Sequence, residues 1–420
     1  MQGDNSVAVC GRRSIRLGLN AKIPMLYFMF MRVGLNAHLL SRQAGYRSAG
    51  IHGYIVNLLR HLPAQAPADW QFEALIGAAS QASFSGLSVK RARFDTEKPL
   101  RRILWEQTLQ PLAIRQFDLY HALAFVAPLV LTAPMVVTVY DLSFLRFPKR
   151  LSSARRLYLH SMTALTCARA RRILAISQST ADDLTARLGV PANKIDVTPL
   201  GYDKMMFRAL LPAECEHFRR KESLPERFWL YVGTLEPRKN LQMLLRAYAS
   251  LTPEERLPLV LGGGLGWRGR QVLAAIERLG LNDSVKHVGF IPAADLPLWY
   301  NCAEAFLYPS VFEGFGLPVL EAMACGTPVL TSNVSSLPEV AGKAGRRLPP
   351  NDEECWAVEL KALKANGEWR QTARKNGLER AKLFSWARTA ELTLGSYQMA
   401  MAAREHPLGE SEKVTGVESK

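Results

Sequence analysis

Short apolar runs alternate with amphipathic stretches along almost the whole chain, and this alternation restricts the fold more than any other feature. The runs predict buried strands, and the stretches between them have helical periodicity. In the first half, strands are predicted at 32–37, 72–76, 119–121, 135–139, 172–176 and 194–197, with helices that include 51–61 and 179–188. Ser179 is the expected cap of the second of these helices, with Asp182 three residues further on. Alternating strands and helices are typical of α/β proteins with parallel sheets.

The same series restarts in the second half of the chain. Strands are predicted there at 228–232, 257–261, 285–289, 305–307 and 328–331, with helices at 241–250 and 270–279. A chain of 420 residues exceeds one ordinary core, so two domains are expected. We predict an N-terminal extension over 1–30, a first domain over 31–207, a less regular linker over 208–221 and a second domain over 222–383. The cleft between two such domains, at the carboxyl ends of their strands, is the expected ligand site.

Composition and charge narrow the class of protein. The six cysteines are scattered without a Cys-x-x-Cys pair, which argues against a zinc site or a disulfide framework and favours a cytoplasmic protein. The net charge is +16, and residues 1–200 hold 25 Lys and Arg against 11 Asp and Glu. A basic first half attracts phosphorylated substrates or an anionic membrane.

No apolar run reaches the length of about 18 residues that a membrane-spanning helix needs. The apolar stretch at 23–31 is followed by no signal-peptide cleavage site.

The segment YPSVFEGFGLPVLEAMACGTPVLT, which begins at Tyr308, carries the strongest signal for a binding site. Glu313 and Glu321 stand eight positions apart, on either side of a glycine-containing loop that opens a helix near Pro318. Free N–H groups at a helix start suit an anion, and carboxylates suit sugar hydroxyls. The segment therefore predicts a cradle for the diphosphate of a nucleotide sugar, and the alternative is a glycine turn with two surface glutamates.

Two further segments predict contacts with phosphate. YVGTLEPRKNL places Arg238 and Lys239 just past the end of a strand, where cations neutralise a leaving diphosphate. The alternative for this segment is a solvated pair of cations. SAGIHGYIVNLL places Gly50 ahead of a helix after the first strand, where the backbone can approach a ligand from the opposite wall of the cleft.

In this order, EGFGLPVLE, GTLEPRKNL and the glycine turn after the first strand resemble the GT4 family of retaining glycosyltransferases, which have the GT-B fold. Within that family the chain looks like bacterial mannosyltransferases of surface polysaccharide synthesis. LAISQSTADDLTARLGVPANKIDVTPLGYD is similar to the family's strand, helix and domain-linking turn. FSWARTAELTLGSY is similar to its closing helix, which implies a helix over 384–404 that crosses back to the first domain, ahead of a flexible tail over 405–420. The resemblance spans Met31 to Met401 and implies two Rossmann-like domains, the second of which binds the donor.

The resemblance also implies a role for each matching residue. Glu313 would stabilise charge beside the transferred hexose, and Arg238 and Lys239 would hold the diphosphate and assist its departure. Glu321 would bind the ribose hydroxyls. Further donor-binding residues implied by the family are Gly50, Thr234, Gly314, Phe315, Gly316 and Leu317.

The family further implies the reaction and its partners. We expect transfer of a hexose, mannose from GDP-mannose before a UDP-linked sugar, to a lipid-linked or polysaccharide acceptor with retention of anomeric configuration. The nucleotide sugar is a substrate. The resemblance implies that no metal or other cofactor is needed, and the sequence has no Asp-x-Asp pair. Nucleic acid is not an expected partner.

Two positions depart from the family pattern. Many relatives have a His-Asp pair where this chain has Tyr140 and Asp141, which are expected to orient the sugar. A phenol donates hydrogen bonds but is a poor base at neutral pH. His121, at another predicted strand end, is an alternative histidine for the site. Thr234 stands where many relatives have arginine, so the diphosphate charge is expected to depend on Arg238 and Lys239.

Three other functions match parts of the sequence. The segment GLGWRG, from Gly264 to Gly269, fits the dinucleotide-binding pattern of an NAD-dependent oxidoreductase, but the acid expected about 20 residues later is missing. A sugar-nucleotide epimerase would need an acid–base pair around the sugar, and none is identified. A nucleic-acid-binding protein is disfavoured because basic and aromatic residues do not interleave.

The stretch from Lys149 to Arg172 holds seven Lys and Arg and no acid, which indicates either a basic surface helix or peripheral contact with an anionic membrane.

Overall fold

The computed structural model describes residues 30–40, 49–78, 80–93, 96 and 98–402, so most of the predicted extension and the predicted tail lie outside the described residues. Its strands are β1 Met31–Asn36, β2 Trp70–Ile76, β3 Ser88–Arg91, β4 Leu119–Ala122, β5 Met135–Val139, β6 Arg172–Ala175, β7 Ile195–Val197, β8 Trp229–Val232, β9 Leu259–Gly262, β10 Val285–Gly289, β11 Ala305–Tyr308, β12 Val329–Ser332 and β13 Arg346–Leu348. Its helices are α1 Ala49–Gln65, α2 Pro99–Thr108, α3 Gln110–Ile114, α4 Ser143–Arg146, α5 Ser153–Arg169, α6 Gln178–Leu188, α7 Pro212–Lys221, α8 Leu241–Ala249, α9 Arg270–Arg278, α10 Leu296–Cys302, α11 Leu317–Ala324, α12 Leu337–Ala341, α13 Glu353–Ala365, α14 Gly367–Ala381 and α15 Trp386–Ala402.

The strands form two sheets, one in each half of the chain. The first has the order β3-β2-β1-β4-β5-β6-β7 and the second the order β10-β9-β8-β11-β12-β13. The paired strands are parallel in both. In each sheet the strand order reverses beside the first strand, as in dinucleotide-binding Rossmann domains. The predicted α/β architecture with two Rossmann-like domains is confirmed, and the two reversal points lie between β1 and β4 and between β8 and β11.

The inner strands are covered on both faces, which explains their continuous apolar sequences. All residues of β4, β5, β9, β11 and β12 are buried, as expected for parallel strands between two layers of helices. The edge strands β3 and β13 are largely polar and partly exposed, and the sequence analysis did not predict them. Among the described residues, no helix has the length and apolarity needed to cross a bilayer.

Helix α15 returns from the second domain and packs on α1, β5 and β6 of the first, as predicted. The Thr389 hydroxyl donates a hydrogen bond to the Pro199 carbonyl at 2.6 Å. At the same place a Cβ on Gly201 would lie 2.1 Å from the backbone nitrogen of Trp386. The two chain segments that cross between the domains therefore contact each other directly, and glycine permits the approach.

The region predicted as a linker is largely helical. Helix α7 occupies most of residues 208–221 and packs on α10 of the second domain, where Phe218 contacts Trp299 with ring centroids 5.6 Å apart. Pro212 marks the start of this helix rather than a break in structure, because proline fits the first helical position. The Glu214 carboxylate accepts a hydrogen bond from the Leu211 amide at 2.9 Å and closes the helix start.

The cap of helix α6 lies two residues before the predicted cap, Ser179. Ser177 is the cap, and its hydroxyl accepts a hydrogen bond from the Thr180 amide at 3.1 Å. Ser179 lies inside the first turn, where its amide is bonded to a residue of the second domain. The start of α6 is therefore part of the contact between the two domains.

Candidate active site

Three charged side chains predicted for the catalytic site lie together beside the carboxyl ends of β8 and β11. Arg238 and Lys239 belong to a short 3-10 turn after β8, and Glu313 to the loop between β11 and α11. Nη1 of Arg238 is 2.8 Å from Oε2 of Glu313, and Nζ of Lys239 is 2.6 Å from its Oε1. Strands β8 and β11 are neighbours at the reversal point of the second sheet, which brings the loops together. We call Arg238, Lys239 and Glu313 the charged triad.

Two residues that the sequence analysis did not select as site residues complete the surroundings of the triad. The Tyr308 hydroxyl accepts a hydrogen bond from Nζ of Lys239 at 2.6 Å. Glu236 accepts one from Nε of Arg238 at 3.0 Å, and its other oxygen lies 3.3 Å from Arg150 of the first domain. Both residues occur within the motif segments, but the sequence does not show which side chains of a loop face the cations.

The triad keeps Glu313 ionised at neutral pH. Burial on its own raises the pKa of Glu313, but the charges of Arg238 and Lys239 outweigh it and lower the pKa to about 2. The side chains of Glu313 and Lys239 are only 9% and 8% exposed. Removing one partner from such a pair is costly, because the other charge is left buried without compensation. The triad itself holds two cations and one anion, and the buried carboxylate of Glu236 beside Arg238 offsets its positive charge.

Beside the triad, the loop from Gly314 to Leu317 presents backbone amides at the start of α11. Gly316 caps this helix with a φ of 106°, which favours glycine. Among the described residues, none accepts a hydrogen bond from the amides of residues 314–317. The Phe315 ring packs against Phe384, with centroids 5.8 Å apart, so Phe315 offers the cleft its amide rather than its ring. Free amides at a helix start next to two cations suit a diphosphate.

The first domain forms the opposite wall, and it touches this loop. A Cβ on Gly314 would lie 2.4 Å from the Tyr140 carbonyl oxygen and 3.2 Å from Cβ of Asp141. Nearby, the Phe147 and Phe312 rings pack across the cleft with centroids 6.0 Å apart. The loop that carries Glu313 therefore meets the end of β5 through backbone atoms.

Tyr140 takes part in this wall through its backbone, and its side chain is buried in the first domain. The hydroxyl donates a hydrogen bond to the Leu123 carbonyl at 2.6 Å, and the ring packs edge-on against Tyr54. Burial holds the pKa of the Tyr140 phenol well above its ordinary value. The Tyr140 hydroxyl is therefore bonded within the first domain. Asp141 lies at the cleft, where its carboxylate accepts a hydrogen bond from the Ser143 amide at 2.8 Å.

This geometry predicts a small catalytic effect for Tyr140→Phe. The variant loses one buried hydrogen bond, which we expect to cost about 1 kcal/mol in the free energy of unfolding. The turnover number should stay within about twofold of wild type, because the lost hydroxyl points at Leu123. Denaturant unfolding and steady-state kinetics measure the two effects. A tenfold loss of turnover at unchanged substrate affinity would show that the hydroxyl serves the reaction.

The other predicted donor-binding residues lie at several points around the cleft. Glu321 is half-buried on α11, one turn after Leu317, and accepts a hydrogen bond from the Tyr300 hydroxyl at 3.2 Å. Thr234 follows β8 and is half-buried. Gly50 lies in the first turn of α1, is exposed, and has open space where a Cβ would be. The positions and exposure of these three residues are compatible with contacts to the donor. They do not form one cluster with the charged triad.

The raised pKa of Glu321 leads us to expect that the affinity for the donor depends on pH. Burial raises its pKa to about 7, partly opposed by the Tyr300 hydrogen bond. If the Glu321 carboxylate accepts hydrogen bonds from the ribose diol, as the family resemblance implies, binding should require the ionised form and weaken about tenfold between pH 8 and pH 6. Calorimetric titration with a nucleotide sugar, whose diphosphate has no group titrating in this range, measures the effect. Glu321→Gln should bind weakly at both pH values, and a wild-type affinity that is constant with pH would contradict the assignment.

Two other sequence signals have structural explanations. His121 is fully buried between the Tyr397 hydroxyl, 2.6 Å from Nδ1, and the Thr138 hydroxyl, 2.8 Å from Nε2. Burial lowers its pKa to about 3, so it is a neutral core residue that joins α15 to the first sheet. In the segment GLGWRG, a Cβ on Gly269 would lie 2.6 Å from the Leu235 carbonyl. That glycine lets the loop pack on the strand-end segment that leads to the triad.

Comparison with known proteins identifies the family. The family model described as Glycosyl transferases group 1 matches residues 214–380, and that described as Glycosyltransferase Family 4 matches residues 49–204. The O-antigen chain mannosyltransferase B of Escherichia coli is 36% identical over 295 residues, which are 69% of this chain and 77% of that protein. The chain belongs to the GT4 family and is a glycosyltransferase. The alternatives of an oxidoreductase, an epimerase and a nucleic-acid-binding protein are therefore not retained.

Two further similarities agree with this assignment. The serotype-specific mannosyltransferase WbdA of Escherichia coli is 34% identical over 62% of this chain, which spans 32% of WbdA. The solved structure of sucrose-phosphate synthase from Thermosynechococcus elongatus superposes with a TM-score of 0.72 at 23% identity, over 89% of this chain and 100% of that one. The structural similarity shows the GT-B fold, in which two Rossmann-like domains face a central cleft.

Proposed function

We propose that this glycosyltransferase moves a hexose from a nucleotide sugar to a lipid-linked or polysaccharide acceptor with retention of anomeric configuration. The observation that carries the proposal is the charged triad beside the free amides ahead of α11, at the reversal point of the second sheet. Open α/β sheets bind nucleotides at this edge. A diphosphate on the amides would lie next to both cations.

The triad supplies the charge that departure of a nucleoside diphosphate requires. Arg238 offers a planar fork of N–H donors to phosphate oxygens, and Lys239 a compact cation. Preorganised charge acts most strongly where water is excluded, and both side chains are largely buried. Glu313 holds the two cations in place and is available to a sugar hydroxyl. We propose that attack occurs on the face from which the diphosphate leaves and that a donor phosphate oxygen assists removal of the acceptor proton.

In this proposal no metal ion or other cofactor is needed. The positive charge comes from Arg238 and Lys239, and the free amides of residues 314–317 add hydrogen-bond donors. Among the residues that the structure describes, no three His, Cys, Asp or Glu side chains form a group that could hold a metal ion. We expect transfer to continue in the presence of a chelator.

The sugar and the acceptor are proposed from the relatives. The 36% identical protein is named an O-antigen chain mannosyltransferase, and WbdA is also named a mannosyltransferase. We therefore propose mannose from GDP-mannose as the first donor and a UDP-linked sugar as the second. A growing surface polysaccharide on a lipid carrier is the proposed acceptor.

A thermal-shift screen of GDP- and UDP-linked sugars tests the donor proposal. A ligand that binds the native state raises the free energy of unfolding, by about 2.7 kcal/mol when its concentration is 100 times its Kd. The melting temperature rises as a result. GDP-mannose should give the largest shift, and the best donor should release its nucleoside diphosphate when a mannose-terminated acceptor is added. The absence of a shift with every nucleotide sugar would overturn the proposal.

We also propose peripheral contact with an anionic membrane through the first domain. Of the basic stretch from Lys149 to Arg172, some cations serve the fold: Arg150 pairs with Glu236, and Arg171 donates to the Ala400 carbonyl. Exposed leucines accompany the exposed cations of α2 and α5, a combination suited to a lipid interface. Exposed residues of this kind include Leu100, Arg101 and Leu104 on α2 and Arg155 and Leu157 on α5.

Vesicle sedimentation tests this contact. The protein should bind vesicles that contain anionic lipid, lose binding as salt rises, and bind neutral vesicles weakly. Leu100→Ser and Leu104→Ser together should weaken binding, whereas Leu383→Ser, which changes an exposed leucine of the second domain, should not. Equal sedimentation of both variants with anionic vesicles would remove the proposal.

A further inference from the structure

Glu339 of the second domain binds the start of α6 in the first domain. Its Oε2 accepts a hydrogen bond from the Gln178 amide at 2.7 Å, and its Oε1 accepts one from the Ser179 amide at 2.7 Å. These are the first two amides of α6, which have no partner within the helix. The Ser177 hydroxyl accepts from the next amide, that of Thr180. Glu339 thus completes the cap of a helix that belongs to the other domain, where a negative charge is favourable.

Glu339 is held firmly by its own domain. It lies on α12, and the backbone carbonyls of Glu339 and Val340 accept hydrogen bonds from the Arg380 guanidinium, the second at 3.1 Å. Because α14 carries Arg380, the backbone of α12 at Glu339 is fixed relative to the core of the second domain. Hydrogen bonds from the Glu339 carboxylate to α6 therefore restrain the position of the second domain relative to the first.

The residues just before α12 bind the loop of the charged triad. The Ser335 hydroxyl donates to the Glu313 carbonyl at 2.5 Å and accepts from the Glu313 amide at 3.2 Å. The Ser336 hydroxyl lies 2.9 Å from the Glu313 carbonyl and 2.8 Å from that of Phe315. The Ser335 hydroxyl is also 3.5 Å from that of Ser179 in the first domain. The contact with α6 and the Glu313 loop are therefore joined through the five residues from Ser335 to Glu339.

We propose that Glu339 is a positioning residue that keeps the cleft closed during transfer. Its two bonds to α6 hold the Glu313 loop against the end of β5, where Gly314 meets the Tyr140 carbonyl. Closure excludes water and brings the acceptor wall to the donor, so loss of the bonds lowers turnover and leaves donor binding to the second domain intact. The inference rests on the proposed donor site in the second domain.

Two variants remove the contact from opposite sides. Glu339→Gln keeps the shape of the side chain but replaces one acceptor oxygen with a donor that faces an amide. Gln178→Pro removes one amide from the first position of α6, where proline is tolerated, and the preceding Ser177 already has the extended backbone that a following proline requires (φ −155°, ψ 161°). Glu353→Gln is the matched control, since Glu353 also lies at a helix start but pairs with Arg246 within the second domain.

Each variant should lower kcat about tenfold or more, with the Kd for the donor nucleotide unchanged within about twofold. Small-angle scattering should show a larger radius of gyration, and the loss in the double variant should be smaller than the sum of the single losses, because both changes act on the same contact. The control should match wild type. A wild-type kcat and radius for Glu339→Gln, or additive losses in the double variant, would overturn the inference. If no nucleotide sugar binds or reacts, the proposed donor fails, while the scattering comparison still tests the contact.

Discussion

Lys239→Ala is expected to lower the turnover number by on the order of 10²–10³ while the protein stays folded. The variant removes one of the two cations that would balance charge on the departing diphosphate. Arg238 remains 2.8 Å from Glu313, so the buried carboxylate keeps one neutralising partner and the second domain keeps its core. The pKa of Glu313 should rise in the variant, because one of the two charges that lower it is lost. Steady-state kinetics and a melting curve measure the two effects.

Lys361→Ala is a suitable control for this experiment. Lys361 is 63% exposed and pairs with Glu255 on the surface of the same domain, so its removal should leave turnover unchanged. Glu313→Ala should lower turnover at least as much, with a greater loss of stability, because buried Lys239 loses its carboxylate partner and Arg238 keeps only Glu236. Turnover within threefold of wild type in Lys239→Ala would contradict the proposed role of the triad.

Gly314→Ala is expected to lower kcat/KM at least about 100-fold through geometry alone. The added Cβ would lie 2.4 Å from the Tyr140 carbonyl oxygen, far closer than atoms of this kind approach. The Cβ of residue 314 and the Tyr140 carbonyl oxygen are both fixed by the backbone and cannot rotate away from each other. The domains must therefore separate, or the Glu313 loop must shift. Each domain keeps its own core, and the nucleotide should still bind to the second domain. The loss should therefore appear in turnover rather than in nucleotide affinity or melting temperature.

Gly395→Ala provides the matched glycine substitution. Gly395 lies within α15, nothing lies within 4 Å of a Cβ placed there, and alanine is the better helix former. This variant should keep wild-type kinetics and equal or greater stability. Wild-type kcat/KM in Gly314→Ala would show that the two domains do not meet at this point during the reaction.

The positions of the charged side chains could be expected from the sequence for a physical reason. Arg238, Lys239 and Glu313 each follow a predicted strand of the same half of the chain, and parallel strands present their carboxyl ends at one edge. The apolar runs that give β5, β9 and β11 are continuous because both faces of these strands are buried. The alternation of runs and helices was enough to predict the architecture of both domains.

Other features depend on contacts that no local pattern encodes. The polar sequences of β3 and β13 lack the strand signal because edge strands need little burial. Pro212 lies in the segment predicted as a linker, yet proline also suits a helix start, and the contacts of α7 with α10 settle that the segment is helical. The Tyr140 hydroxyl was expected at the sugar, and its bond to Leu123 depends on packing within the first domain. Glu339 lies 160 positions from Ser179, so their bond appears only in the folded chain.

Comparison of nucleoside diphosphate and monophosphate binding tests the central claim, that the diphosphate lies on the triad. The wild-type protein should bind the diphosphate of its preferred donor at least about tenfold more tightly than the monophosphate, a difference of about 1.4 kcal/mol. Lys239→Ala should lower this ratio severalfold while the monophosphate affinity changes little, because the variant loses one of the contacts to the second phosphate. An unchanged ratio in the variant would place the diphosphate elsewhere and contradict the account.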